Sequence, residues 1–312
     1  MSDRTWEESI QTWGWVMGKP RCDWYDELMS EEAKAWSVFL PEEESRLTRE
    51  EIDERSEIVK NLGLDPETHE PDEPEDLVPE LQMCFDPNGG FYGGGGIFHP
   101  LLHEITYIAD YNRLYNARYE ARKHFMLEAL DAALLSGQAD EWLSVFYVVD
   151  NPYKLSLLEV FAPKIPASAY WEVLADVWTE VENHWQCLDT IKRLWHMTGH
   201  VKDGYYETMF NSDELKVWQT LPNESMTVYR GYTHPTARRG WSWTFSPAKA
   251  RWFAERFARQ DNPQKVVRGQ VARKDILAFF DRRNEREVVI DPRNVTRLKT
   301  MPLDQPMDSD AW

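Results

Sequence analysis

Near residue 225 the hydrophobic period of this chain changes, and that change limits the folds open to it. Upstream, apolar residues recur three and four apart, as at Ile105, Ile108, Tyr111, Leu114 and Tyr115. Such spacing lines one face of a helix. It predicts helices over 101–136, 139–148, 153–161, 167–181, 183–198 and 204–219, with Pro152 and Gly199 as stops. Downstream, short β-type runs take over at 226–232, 240–245, 265–271 and 286–290. One helix, 246–259, separates the second run from the third; Ser246 caps it and Pro247 opens it. The expected class is α+β, with a mainly helical module over 1–160 and a strand-rich domain over 161–312.

The front of the chain is less regular. Ser30 precedes 31–40 and Thr48 precedes 49–63, each followed by acids, and both read as helix starts. Prolines and acids crowd 64–80, which reads as a loop. The glycines of 89–96 follow no clear strand and precede no Gly-Lys-Ser/Thr. They therefore read as a close turn, since a phosphate-cradling loop needs both.

The net charge of −19 is unevenly spread. Residues 1–100 hold 25 acids and 8 bases, whereas 226–299 hold 7 acids and 17 bases. An acidic front docked on the basic core, or a core that meets a polyanion, would exploit this opposition. Cys22, Cys84 and Cys187 are too few and scattered for a disulfide framework. No apolar run approaches the ~20 residues of a membrane span, and the first residues lack the basic start of a secretory signal. A cytoplasmic protein with no membrane partner is expected.

Histidines four apart, His99 with His103 and His196 with His200, have the spacing of a metal face. His184 lies about 18 Å from His196 on a straight helix and cannot join it at one ion. No HExxH, paired CxxC or Gly-x-Ser-x-Gly occurs. The expectation is no metal.

The strand-rich part carries the chemistry. In 226–232, Arg230 sits inside an apolar run and Gly231 follows it. A buried arginine is costly without an anion, and a glycine lets a ligand approach the backbone. In 240–246, Ser242 and Thr244 alternate with Trp241, Trp243 and Phe245, so hydroxyls and rings take opposite faces. At 285–290, Glu285 and Glu287 project from one side of a strand start. An arginine for phosphate, a hydroxyl and a carboxylate suit glycosyl transfer through an oxocarbenium-like state.

This order, Tyr-Arg-Gly, then Gly-aromatic-Ser-x-Thr with a helix bearing Ala-x-x-Phe-Ala, then Glu-x-Glu, resembles the Arg-Ser-Glu class of mono-ADP-ribosyltransferases of toxin and bacteriophage type. The resemblance covers the C-terminal part only. It implies a split β-sandwich with flanking helices, and an enzyme that cleaves NAD and passes ADP-ribose to a macromolecule. NAD would be a co-substrate, with no metal. The resemblance makes Arg230 the phosphate ligand, Gly231 a backbone contact to the carboxamide, Ser242 the residue that orients the catalytic Glu287, and Glu285 the group that engages the acceptor. Trp243, Thr244 and Phe253 would lie among the NAD contacts, and Trp241 is a further candidate beside the nicotinamide. The segment 279–284, with Phe279, Phe280, Arg282 and Arg283, would be an acceptor loop with an aromatic anchor. A glutamate at 285 goes with arginine acceptors on proteins. Nucleic acid as acceptor, NAD hydrolysis, and a binding protein that keeps the fold stay open as alternatives.

Overall fold

The computed structural model describes residues 60, 73–87, 95–102, 105–106, 112–181, 187–196, 204–256 and 264–301. The expected front helix 31–40, all of the expected helix 49–63 except residue 60, most of the acidic loop, the turn at 89–94, His103, His200 and the end of the 246–259 helix lie outside the described residues. The chain divides into two compact units, 1–128 with 148–150, and 129–147 with 151–312.

In the first unit, α1 (Pro79–Gln82) precedes a small antiparallel sheet of β1 (Phe85–Asp86), β2 (Gly96–Ile97) and β3 (Ile105–Thr106). Helix α2 (Asn112–Ser136) starts in this unit. The helix expected from 101 thus begins later. Ile105 and its neighbours also fit a strand, because so short an apolar run satisfies both periods. Asn112 and Asn116 donate to the carbonyls of Glu73 and Asp76 at 2.6 and 3.1 Å, which tethers the acidic stretch to α2. His99 is buried, accepts from the Leu101 amide at 3.1 Å and meets the Tyr119 ring edge-on. Burial holds it down to about 4, so it is a neutral core residue.

The second unit contains α3 (Ala139–Tyr147), α4 (Asn151–Phe161), α5 (Ala167–Glu180), α6 (Leu188–Trp195) and α7 (Ser212–Thr220). Helix α5 is buried nearly all round, from Ala169 through Trp178, as a helix apolar on every side must be. Helices α3 and α4 pack on it. The second unit thus begins within α2, and α3 and α4 find their apolar partner α5 inside it.

The remaining strands are β4 (Ser225–Tyr232), β5 (Ser242–Thr244), β6 (Lys265–Ala272), β7 (Ile276–Phe280), β8 (Glu287–Ile290) and β9 (Thr296–Met301), with α8 (Pro247–Arg256) after β5. They form one antiparallel sheet in the order β7-β8-β5-β4-β6-β9. Strand β7 is buried at every position and β9 is a polar, largely exposed edge. Neither alternates cleanly, so the period-two signal missed both. Among the described residues no helix is long and apolar enough to cross a membrane.

Candidate functional site

Strands β8, β5 and β4 are neighbours within the sheet, and they carry Glu287, Ser242 and Arg230. Thr244 lies opposite Glu287, and Ser242 is two residues along on the same face. The Ser242 hydroxyl bonds to the Glu287 carboxylate. Strands β4 and β5 pair at a single position, Tyr229 with Thr244. Past it the Arg230 side chain takes over the bonding: it donates to the carbonyls of Ser242 and, at 2.8 Å, of Ala237.

Two glycines make room for this arrangement. A Cβ on Gly240 would stand 2.5 Å from the Arg230 guanidinium carbon. A Cβ on Gly231 would lie 2.6 Å from the Ala254 nitrogen, and closer still to the Ala250 carbonyl oxygen. Gly231 therefore seats α8 on β4, where Ala250, Ala254 and Val266 form a buried cluster with Tyr229 against it.

Glu287 is only 4% exposed. Burial pushes its carboxyl up from the ordinary range. The Ser242 and Trp178 bonds and the Arg283 charge pull it back, while Glu285 adds to the rise. Trp178 of α5 donates from Nε1 to Glu287 Oε1 at 3.1 Å. Desolvation likewise lowers Arg230 to about 10, and the Glu287 charge opposes that. Guanidinium and carboxylate thus sense each other in a poorly hydrated place.

The loop between β7 and β8 presents the other acid. Glu285 pairs with Arg283 at 2.9 Å, and its carbonyl accepts from the Thr244 hydroxyl at 2.6 Å. The same hydroxyl accepts from the Ser246 amide at 3.0 Å. Thr244 accordingly ties the loop to the start of α8, and its hydroxyl is committed to backbone. Asn284 and Arg286 have φ of 54° and 47°, a left-handed backbone on either side of Glu285. Bulky L-residues adopt it at a cost of roughly 1–2 kcal/mol. Asp281 holds the Arg286 amide at 2.9 Å, and the Phe245 amide donates to the Arg286 carbonyl at 3.1 Å.

Several expected site residues sit elsewhere. Phe279 and Phe280 are not loop anchors: they are buried in β7, with Phe279 stacked on Phe245 and Phe280 near Phe210. An all-apolar strand end belongs in the core and not at a surface meant for an acceptor. Arg282 is not a free acceptor contact either, because Asp176, Glu214 and the Met209 carbonyl hold it. Trp243 is buried on the face away from Ser242, and its indole donates to the Gly240 carbonyl at 2.7 Å. Phe253 meets Trp252 edge-on at 4.9 Å. Trp241 is buried with its ring 6.0 Å from that of His196.

The sequence singles out neither Trp178 nor the closeness of Gly240 to Arg230. A glycine directly before an alternating strand was visible, but its partner was not. Nothing marked Trp178 among fifteen tryptophans. Among the described residues no group of three or more His, Cys, Asp or Glu side chains is placed to hold a metal ion.

Compared with protein families, curated proteins and solved structures, the chain matches none.

Proposed function

We propose that the chain is a mono-ADP-ribosyltransferase whose C-terminal sheet is a split β-sandwich of that class. The observation that carries this is the junction of Arg230, Ser242 and Glu287 where β4 and β5 part. The two carbonyl bonds of Arg230 fix its guanidinium and leave other N–H donors for a phosphate of NAD. Glu287, oriented by Ser242, accepts the 2′-hydroxyl of the nicotinamide ribose. Its negative charge favours the positive charge that develops at the anomeric carbon. The bond from that carbon to nicotinamide breaks and the electron pair leaves with the pyridine. An acceptor nitrogen then attacks the carbon and gives up its proton. Glu285, beside Arg283 on the loop, engages that acceptor, and a guanidinium on a protein suits a carboxylate there.

A nucleic-acid acceptor is the second reading, favoured by the ten excess bases of 226–299. NAD labelled in its adenylate half separates the readings. Label on protein supports the first, label on RNA or DNA the second, and free ADP-ribose alone marks a hydrolase. No cleavage by the intact chain refutes the proposal.

A further inference from the structure

The segment 281–287 carries both acids of the pair, and helices hold it at each end. At its start the Asp281 amide donates to Glu214 Oε1 at 2.8 Å. Glu214 is 1% exposed, and its other oxygen accepts from the Asn211 amide at 3.0 Å at the start of α7. Arg282 enters the same junction. Its Nε lies 3.5 Å from Glu214 Oε2, it pairs with Asp176 of α5, and its Nη2 donates to the Met209 carbonyl at 2.8 Å. At the segment's end stands the Trp178–Glu287 bond. Asp176 and Trp178 are two residues apart on one helix.

That helix is itself fixed. Trp178 is fully buried and its ring meets Trp195 edge-on at 5.4 Å. Trp171 of the same helix lies 4.8 Å from Tyr206 and 6.4 Å from Trp195. A phenylalanine or leucine would fill the position of Trp178 as an apolar plug. Tryptophan adds one donor, and that donor points at a buried carboxylate. An unpartnered buried acid is costly, so each donor it receives favours the charged form.

We propose that α5, with Glu214, is the positioning arm of the catalytic centre: Trp178 fixes one oxygen of Glu287, and the Asp176–Arg282–Glu214 clasp fixes the loop that carries Glu285. The role of Glu287 in this statement rests on the transferase reading; the arm itself rests on contacts alone. Helices that sequence logic would treat as support thus belong to the reacting unit, and Trp178, Asp176 and Glu214 act through other residues.

Two measurements on the full chain test the arm. In the first, the Glu287 carboxyl is titrated by carbon NMR, with Glu287→Gln to assign its signal. The groups acting on it are Ser242, Trp178, Arg230, Arg283 and Glu285. Trp178→Phe removes one donor to the charged form, so the midpoint rises by about one pH unit or more. A lower melting temperature with an unchanged midpoint would make Trp178 mere packing and overturn its role. In the second, trypsin cleavage after Arg282, Arg283 and Arg286 is mapped by mass. Asp176→Asn and Glu214→Gln are expected to speed it about tenfold, because cleavage follows the population of the locally opened loop; unchanged rates overturn the clasp. If the wild type cleaves NAD, the acid limb of kcat in Trp178→Phe moves up with the titration midpoint, and a fixed limb counts against the arm. If the wild type cleaves none, the transferase reading falls, while titration and proteolysis still decide whether α5 holds Glu287 and its loop.

Discussion

Gly231→Ala separates two roles for one glycine. The family resemblance makes it a backbone contact to nicotinamide, whereas the packing makes it the seat of α8. The added Cβ would stand 2.6 Å from the Ala254 nitrogen, where ordinary contact begins at 3.4 Å, and the Ala250 carbonyl is nearer still. Both are helix backbone, which no rotamer change can move aside. Strand β4 and helix α8 must separate by roughly 1 Å, opening the Ala250, Ala254 and Val266 cluster. Overpacking of this kind costs about 1–3 kcal/mol, and backbone on both sides puts it at the upper end. At 2–4 °C per kcal/mol for a unit of this size, the melting temperature drops by about 6–12 °C. The assay is thermal unfolding by circular dichroism, without ligand. A variant that melts with the wild type would refute the packing argument, whatever happened to its activity.

Gly240→Ala meets the flexible end of Arg230 instead. It is expected to raise KM for NAD by roughly 10-fold or more, at the ~1.5–3 kcal/mol of a displaced charged hydrogen bond; an unchanged KM would remove Arg230 from phosphate binding. Glu287→Gln alters the pH dependence of stability. The folded carboxyl is raised by burial, so its contribution is full below the unfolded pKa and is lost as pH climbs through the folded value. The variant should therefore gain on the wild type in melting temperature as pH rises above the ordinary carboxylate range, and parallel curves would contradict the buried, raised carboxyl. Glu285→Gln should cut transfer to a guanidine acceptor at least tenfold (~1.4 kcal/mol) while hydrolysis of NAD persists; equal losses would take Glu285 out of acceptor handling.

What the sequence made legible was local. Alternation located β4, β5, β6 and β8, and Ser246-Pro247 gave the start of α8, where Ser246 caps the Lys249 amide at 3.3 Å. These signals depend on neighbours a few residues apart. Arg230 and Ser242 stood out because each interrupts an apolar or aromatic run, and Glu287 because it opens one. The rest depends on long-range contact. Trp178 lies 109 positions from Glu287 and looks like any core tryptophan. Glu214 reads as an ordinary first-turn acid, which it also is, while its second oxygen serves a loop 67 positions away. Phe279 and Phe280 misled because a fully buried strand has no period.

The most direct test is the release of nicotinamide from NAD by the purified chain, beside Arg230→Ala, Ser242→Ala and Glu287→Gln variants that still melt cooperatively. Turnover by the wild type is expected, with a loss of roughly 100-fold or more in Glu287→Gln, the scale set by removing one charge-stabilising group from a reacting centre. A wild type that releases nothing above the spontaneous rate, or a Glu287→Gln variant that keeps pace with the wild type, would remove Glu287 from NAD cleavage and the transferase reading with it.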